Sequence, residues 1–351
     1  MSVSKGRTAC RLSISSLALL ATLASAQDFS ELDIAAGKAL FDRNWISAPA
    51  STAATDGLGP YYDARSCAAC HPDGGRGPYP GSLTQAIDDP MLGRQLQRHA
   101  VAGLPAESTN GQPQFSGSLR QPPALAGVAL FEQVSATALA ALADPDDHNG
   151  DGISGRASGR YGWKADVGTL EQQIGRAFSL DLGLGNRWYP SAYGDCTAAQ
   201  AACLQMPAGA TAGEPEVDDN VLALLQQWLR SLPPPATAAV AEPLFDQFGC
   251  SGCHVASLPL PDGELRAWTD LLLHDLGPAL AADDPSAAAA EWRTPPLWGT
   301  GSNTHYLHDG RAQSLEAAIL LHGGEASGSR QAYEEATNLQ RQRLLAFLKS
   351  L

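Results

Sequence analysis

The sequence predicts a mainly α-helical fold of two similar units joined by long loops. Segments with helical periodicity are rich in Ala, Leu and Gln, strand-type alternation is weak, and many loops contain Gly and Pro. Three landmarks recur in the same order in both halves, which predicts units at about residues 30–232 and 238–351. Three prolines that begin at Pro233, followed by an alanine-rich stretch, read as the linker between them.

The landmarks are a helix ending in Leu-Phe-Asp, an Arg-x-Pro-Pro turn and a closing helix with apolar residues at i, i+1, i+4 and i+5. They lie at 39–42, 120–123 and 224–232 in the first half, and at 243–246, 293–296 and 344–351 in the second. Because each closing helix has one apolar face, we expect each to cover the core of its own unit.

Each unit also carries one Cys-x-x-Cys-His string. Two thiols three positions apart can each form a thioether to a haem vinyl group, and the next histidine can bind the iron. One string alone is compatible with a redox dithiol or half a zinc site, but two favour c-type haem. The predicted haem-binding residues are Cys67, Cys70, His71, Cys250, Cys253 and His254. The two units are therefore predicted to be cytochrome c-like domains, each around a covalently bound haem.

The N-terminus predicts export. A basic start precedes an apolar run at 12–23 and the A-x-A pattern Ala24-Ser25-Ala26, so residues 1–26 read as a signal peptide. The run is short for a membrane anchor, and no later apolar segment is long enough to span a bilayer. Because c-type haem is attached outside the cytoplasm, we expect a periplasmic protein with no membrane span after signal removal.

Two further cysteines, Cys196 and Cys203, lie in a loop-like stretch. An oxidising compartment favours a disulfide between them, and a redox-active pair is the alternative. The formal net charge of −14 argues against nucleic acid as a partner.

Other strings carry a family resemblance, among them Asp-Gly-Leu-Gly-Pro, Asp-Gly-Ile-Ser-Gly-Arg, Gly-Trp-Lys-Ala and Asp-Leu-Leu-Leu-His-Asp. The matching strings lie at 56–60, 66–71, 151–156, 162–165, 270–275, 291–298 and 307–311. Their order resembles the bacterial di-haem cytochrome c peroxidase superfamily, in particular its branch of di-haem oxidoreductases, some of which are labelled thiol oxidoreductases. The likeness covers roughly residues 36–351.

The resemblance suggests the sixth ligand of the second haem. The superfamily places a methionine fourteen residues after the histidine of its His-Asp-Gly motif, and here that count runs from His308 to His322. We therefore predict that His254 and His322 bind the second iron, and methionine would give a higher potential than this histidine pair. Alternatively, His322 caps a helix predicted at 314–322. Three other histidines, better read as neighbours of the haem or its propionates, are alternative ligands: His274, His305 and His308.

The first haem has no well-placed sixth ligand in the sequence. The position at which the superfamily has its distal histidine, sixteen residues after the proximal one, is Ile87. Met91 and His99 are the nearest alternatives, with His99 on a predicted helix and readable as a surface residue. The sequence thus favours an open or water-filled site at the first haem, which a peroxide-binding haem requires.

Peroxide cleavage also needs a proton-transfer group and a hydrogen-bond donor. The candidates are Glu107 and Glu132 as acid–base groups and Gln95, Gln97 and Arg120 as donors. Glu132 is favoured because it follows the Arg-x-Pro-Pro turn, which leads toward the distal side in the relatives. The resemblance also implies an electron relay between the haems at Trp163, where a core aromatic is the plain alternative.

Asp147, Asn149 and Asp151 match the first part of a calcium loop, and related peroxidases carry calcium between their domains. Ser158 stands where an EF-hand has glutamate, so this is not an EF-hand. A plain Asp/Asn/Gly turn is the alternative.

Together these features predict a di-haem oxidoreductase of peroxidase type that passes electrons from the second haem to a reactive first haem. The expected partners are a redox protein or small electron donor and hydrogen peroxide or another small oxidant. The alternative is a non-catalytic electron carrier with both haems six-coordinate, linked in one version to iron uptake.

Overall fold

The computed structural model describes residue 1 and residues 30–52, 55–108, 118–210, 214–237, 242–282 and 287–351. Apart from residue 1, the predicted signal peptide lies outside the described residues. The helices are α1 Glu31–Asp42, α2 Cys67–Cys70, α3 Ala136–Leu142, α4 Leu170–Asp181, α5 Asp219–Ser231, α6 Pro243–Gln247, α7 Leu315–Leu321, α8 Ser327–Glu335 and α9 Asn338–Ser350. Within these described ranges, no helix is long and apolar enough to cross a membrane.

The strands are short and form small antiparallel sheets. They are β1 Tyr61–Tyr62, β2 Thr84–Asp89, β3 Gly93–Gln95, β4 His99–Ala100, β5 Ser118–Arg120, β6 Leu258–Leu260, β7 Gly263–Leu265, β8 Leu273–Asp275 and β9 Glu291–Arg293. The pairs are β1–β4, β6–β7 and β8–β9, and the three-stranded sheet has the order β3-β2-β5. The fold is therefore less exclusively helical than predicted. Strands of two to six residues are too short to show a clear period of two, and β1–β4 and β2–β5 pair segments that lie far apart in the sequence.

The closing helix of the first half packs on the first helix, as the landmarks predicted. The Ser30 hydroxyl accepts a hydrogen bond from the Asp33 amide and starts α1, while Asp218 caps α5. A Cβ at Gly37 would overlap the backbone of α5, so glycine permits the close approach of the two helices. Phe41 of α1 stacks obliquely on Trp228 of α5 with ring centroids 4.1 Å apart.

The second half repeats this arrangement with shorter elements. Phe245 of α6 contacts Phe347 of α9 edge-on at 5.5 Å between ring centroids, and both rings contact Trp268. Phe41 and Phe245 thus occupy corresponding places in the two repeated landmarks, each against an aromatic residue of the closing helix.

The buried apolar residues form two clusters. The second cluster consists of second-half residues, including Leu244 and Leu344. The first cluster is built from the first half but also includes Leu258, Leu271 and Trp298. The two halves therefore share a core, and the predicted domain limits of 30–232 and 238–351 stay a prediction.

Candidate functional site

The first Cys-x-x-Cys-His string forms the short helix α2. The Ser66 hydroxyl accepts a hydrogen bond from the Ala69 amide, and the helix ends where the His71 amide donates to the Cys67 carbonyl at 2.8 Å. The Nδ1 atom of His71 lies 2.9 Å from the carbonyl oxygen of Pro123. A carbonyl only accepts, so Nδ1 carries the proton and the Nε2 lone pair is available. Burial lowers the pKa of His71 to about 4, which keeps the ring neutral.

The second string has the same chemistry on a 3-10 turn, Cys250–Gly252. The Nδ1 atom of His254 lies 2.9 Å from the Trp268 carbonyl oxygen, and burial lowers the pKa of His254 to about 4. It too is a neutral imidazole with Nε2 as the free lone pair. The four cysteines of the two strings are free thiols: Cys67, Cys70, Cys250 and Cys253.

His322 lines the same cavity as His254. It ends α7, and its Nδ1 donates to the Ala318 carbonyl oxygen at 2.7 Å, while burial lowers its pKa. The capping alternative and the ligand prediction are thus compatible, because capping uses Nδ1 and leaves Nε2 free. Two neutral imidazoles with available Nε2 atoms therefore line one cavity, as His254/His322 ligation requires.

Two of the alternative histidines also lie at this cavity. Both ring nitrogens of His274 are occupied: Nε2 lies 2.8 Å from Asp270 and Nδ1 lies 2.7 Å from Glu325. A ring held on both sides has no lone pair for iron. His308 also lines the cavity, but its ring stacks on Trp292 with centroids 3.6 Å apart.

The cavity fits a haem on a separate observation. Arg76 and Arg330 both line it, and the Nε atom of each is buried without a hydrogen-bond partner among the described residues. Guanidinium groups match carboxylates in charge and geometry, and haem carries two propionates. Free thiols, two imidazoles and two cationic donors therefore meet in one cavity, which is the donor set that a covalently held haem needs.

Ile87, at the position where the relatives have their distal histidine, is buried in β2. Met91 is 58% exposed. His99 is exposed and packs on Tyr62 at 5.5 Å between ring centroids. The helix predicted for the segment ending at His99 is wrong, because His99 begins β4 and pairs with β1. Met91 and His99 are both exposed, whereas His322 is half-buried and lines the cavity. The third alternative, His305, is half-buried and stacks on Tyr79.

Gln95 belongs to a buried carboxyl cluster, defined here as Asp63, Gln95 and Asp181. Its Nε2 atom donates to Asp63 Oδ2 and Asp181 Oδ1, each at 2.7 Å. Burial raises the pKa of Asp181 to about 6. Burial is the main cause that raises the pKa of the Cys70 thiol, and the nearby carboxylates of Asp181 and Asp63 raise it further. The cluster therefore lies beside the first string. Asp63 and Asp181 went unrecognised in the sequence because nothing in their spacing joins them.

Glu132 has structural partners. It accepts hydrogen bonds from the Leu170 amide at the start of α4, at 3.2 Å, and from Gln226 and Arg230 of α5, at 3.3 and 2.9 Å. Its carboxylate ties two helices together and is ion-paired, so the structure does not support Glu132 as the acid–base group.

The other polar candidates also have partners. Glu107 accepts from the Gln97 amide at 2.7 Å and from Gln200, and burial raises its pKa to about 7. The Gln97 side chain donates to the Leu180 carbonyl, and Arg120 Nε donates to the Ser118 hydroxyl.

Trp163 connects the two sites. It lines the cavity of the second string, and its ring lies edge-on to His308 at 6.4 Å. Its Nε1 atom donates to the Gln121 carbonyl at 3.1 Å. Gln121 is two residues before Pro123, whose carbonyl accepts from His71. The relay role of Trp163 stays a prediction, but the position is suitable.

The candidate calcium residues form a turn. Asp147 accepts from the Gly152 amide, Asn149 from the Asp151 amide, and Asp151 from the Ile153 amide. In the described part of the chain, no group of three or more His, Cys, Asp or Glu side chains is arranged to hold a metal. The geometry favours the Asp/Asn/Gly turn.

The other two cysteines are paired as their spacing predicted. Cys196 and Cys203 form a disulfide with a Cα–Cα distance of 6.3 Å. The pair closes the loop that also carries Gln200, the partner of Glu107.

Fold and sites together place two Cys-x-x-Cys-His strings in one chain, each with a neutral imidazole whose Nε2 is available. Residues 112–351 match the family described as "Di-haem oxidoreductase, putative peroxidase". The chain belongs to this family of di-haem oxidoreductases, as the motif order predicted.

Comparison with solved structures adds two similar chains. A hydrazine synthase chain from Kuenenia stuttgartiensis, in a crystal pressurised with xenon, is 15% identical with a TM-score of 0.42, over 99% of this chain and 100% of that one. A MauG-like protein associated with microbial copper homeostasis is 16% identical with a TM-score of 0.43, over 93% and 90%. No curated protein matches. Because both likenesses are low, the family match and the geometry of the sites carry the argument.

Proposed function

We propose that the protein is a periplasmic di-haem c-type oxidoreductase of peroxidase type. The observation that supports this best is the asymmetry between the two sites. The second site has two neutral imidazoles, His254 and His322, on one cavity. The first site has His71, and the positions considered for its sixth ligand are the buried Ile87 and the exposed Met91 and His99. Such a pair suits one electron-transfer haem and one haem with an open site for peroxide.

The residues that would hold the cofactors follow from the geometry. The thiols of the two strings would form the thioethers, His71 and His254 would bind the irons, and His322 would complete the second iron. Arg76 and Arg330 would bind the propionates. When bound, the haems supply one-electron chemistry and an iron that can bind peroxide.

We assign proton transfer during peroxide cleavage to the carboxyl cluster instead of Glu132. Asp181, with a pKa raised by burial to about 6, can hold a proton at Oδ near neutral pH and release it. Gln95 holds Asp63 and Asp181 together through one amide nitrogen. Arg98 Nε donates to Asp63 Oδ1 at 2.8 Å, so Asp63 already has a cationic partner in the cluster.

Electrons are proposed to pass from the second site to the first. Trp163 borders the second cavity and bonds to the chain segment that holds His71. An external redox protein or small donor would supply the electrons. The export motif supports the periplasm as location, and calcium stays a prediction that forms no part of this proposal.

The test is low-temperature EPR of the purified holo-protein, fully oxidised and half-reduced, with and without hydrogen peroxide. We expect one low-spin signal and one high-spin ferric signal that peroxide consumes in one of these states. Two low-spin signals that ignore peroxide in both states would contradict the proposal. They would instead identify an electron carrier, the class to which an iron-uptake cytochrome belongs.

A further inference from the structure

The string Asp151–Arg156 comes from the first half but packs against the second haem-attachment string. A Cβ at Gly252, between the two cysteines of that string, would overlap Ile153 Cδ1. A Cβ at Gly155 would lie 2.9 Å from His274 Cε1. Arg156 exchanges both backbone hydrogen bonds with Leu273 of β8, at 2.9 and 3.0 Å. The string is therefore seated in the wall of the second site.

Ser154 makes the polar contacts between this string and Glu325, and Arg156 pairs with Glu291. The Ser154 amide donates to Glu325 Oε2 at 3.0 Å and its hydroxyl donates to Glu325 Oε1 at 2.7 Å. Glu325 lies three residues after His322, in the 3-10 turn Gly324–Ala326 that directly follows the histidine. Ser154 thus anchors the segment that carries His322 to the first half of the molecule.

His274 fixes the same carboxylate from the other side. It donates from Nδ1 to Glu325 and from Nε2 to Asp270, and its side chain is 3% exposed. Burial lowers the pKa of His274, while the hydrogen bonds to Asp270 and Glu325 raise it. A charged ring that is bonded at both nitrogens cannot rotate without breaking an ion pair, so the connection is rigid.

We propose that Ser154, Glu325 and His274 form a positioning latch through which the first half sets the orientation of the His322 ring and thereby the potential of the second haem. The latch rests on the proposed function in one respect, the ligation of that haem by His322. Its residues bind no substrate and no iron: they act through the backbone of the turn that follows His322. Ring orientation and hydrogen bonding of an axial ligand tune haem potential, which is the measurable consequence.

The test uses the full-length holo-protein and the variants Ser154→Ala, Ser154→Thr and Glu325→Gln. For each, the midpoint potential of the second haem is measured by spectroelectrochemical titration and its low-spin g-values by EPR. We expect Ser154→Ala to change the oxidised-to-reduced ratio of the second haem at fixed potential by about threefold or more, the lower range for the loss of one hydrogen bond. We expect Glu325→Gln to change it about tenfold, or 59 mV for a one-electron couple.

Ser154→Thr keeps the hydroxyl and should restore the parent potential and g-values. Matched controls are Ser302→Ala, whose exposed hydroxyl donates to the Gly299 carbonyl, and Glu335→Gln, whose exposed carboxylate accepts from Gln331. Neither should alter the second haem. The signals of the first haem should be unchanged in every variant, since a general loss of packing would move both.

The latch is overturned if Ser154→Ala keeps the parent potential and g-values. If Glu325→Gln nevertheless changes the potential, its effect is one of charge without positioning. His322→Gly separates the latch from the proposed function: if that variant keeps the low-spin signal of the second haem, the ligation is wrong. A changed His322→Gly spectrum beside an unchanged Ser154→Ala spectrum refutes the latch alone.

Discussion

At the scale of single residues, the direction of one ring proton decides what a histidine can do. His71, His254 and His322 each donate from Nδ1 to a backbone carbonyl and keep Nε2 for a ligand. His274 donates from both nitrogens to Asp270 and Glu325 and is a charged structural group. The four rings are chemically identical in the sequence and differ only in their neighbours.

Replacing His322 by methionine should raise the potential of the second haem, by on the order of 0.1 V, because thioether ligation favours the reduced iron. The measurement is a spectroelectrochemical titration of the holo-protein. His305→Met is the control, since His305 is half-buried, stacks on Tyr79 and is not among the residues that line the cavity. An unchanged potential in His322→Met would remove this residue from the ligand set.

Asp181→Asn should slow peroxide turnover by about 100-fold, the lower range for loss of an acid–base group, without changing haem content. Glu132→Gln should leave turnover close to that of the parent and lower the melting temperature, because it weakens the ion pair with Arg230. Steady-state peroxide assays and thermal melts distinguish the two residues. The reverse pattern would return the acid–base role to Glu132.

At the scale of elements, close contacts between helices decide how each half is built. Gly37 lets α1 lie directly on α5, and the Phe41–Trp228 contact seals that interface. In the second half, the contact between Phe245 of α6 and Phe347 of α9 corresponds to it. The phenylalanine of the repeated Leu-Phe-Asp landmark thus packs against the closing helix of its own half.

Gly37→Ala should destabilise the protein by roughly 1–3 kcal/mol, because the added methyl meets the backbone of α5 and the helices must separate. The free energy of unfolding in urea measures this. Gly328→Ala is the matched control, since Gly328 lies in α8 with open space where a Cβ would stand, and its effect should stay within about 1 kcal/mol. Equal stability of the two variants would contradict the packing argument.

Glu107 accepts hydrogen bonds from Gln97, which follows β3, and from Gln200 in the disulfide loop. Its ionisation should make the stability of the folded protein depend on pH. Burial raises its pKa to about 7 from the ordinary value of 4.5. The folded state therefore binds the proton more tightly, and this contribution to stability is lost as pH rises from about 4.5 through 7. Glu107→Gln should flatten the fall of the melting temperature between pH 5 and pH 8. The exposed control Glu335→Gln should keep the parent slope, and an unaltered slope in Glu107→Gln would refute the assignment.

At the scale of the whole molecule, the two halves depend on each other. Second-half residues such as Leu258 and Trp298 complete the first core, and first-half residues such as Ile153 and Ser154 build the wall of the second site. Trp163 lies on this boundary and bonds to the segment that orients His71.

Trp163→Phe should slow electron transfer from the second haem to the first, since it removes both the indole ring and the bond from Nε1 to Gln121. Flash reduction followed by absorbance at the two haems gives the rate, and the midpoint potentials should be unchanged. Trp188→Phe is the control, because Trp188 is exposed and bonds to Glu171. A parent-like rate in Trp163→Phe would exclude the relay.

Local spacing was enough to predict the attachment strings and the closing helices α5 and α9. Each of these depends on residues a few positions apart, and short-range geometry determines them. The pairing of β1 with β4, the place of His99 and the partners of Glu132 were beyond such reasoning, because the residues that meet lie far apart in the sequence.

The sequence by itself predicted two haem-attachment strings and the thiols and proximal histidines that would hold the haems. Only the tertiary structure decided that His322 keeps a free Nε2 on the cavity of His254, which carboxylates meet beside the first string, and how the first half reaches the second. Asp63, Gln95 and Asp181 come from three segments, and Ser154 and Glu325 are 171 positions apart. Hydrogen bonding and burial depend on such long-range packing, which no periodicity in a linear sequence records.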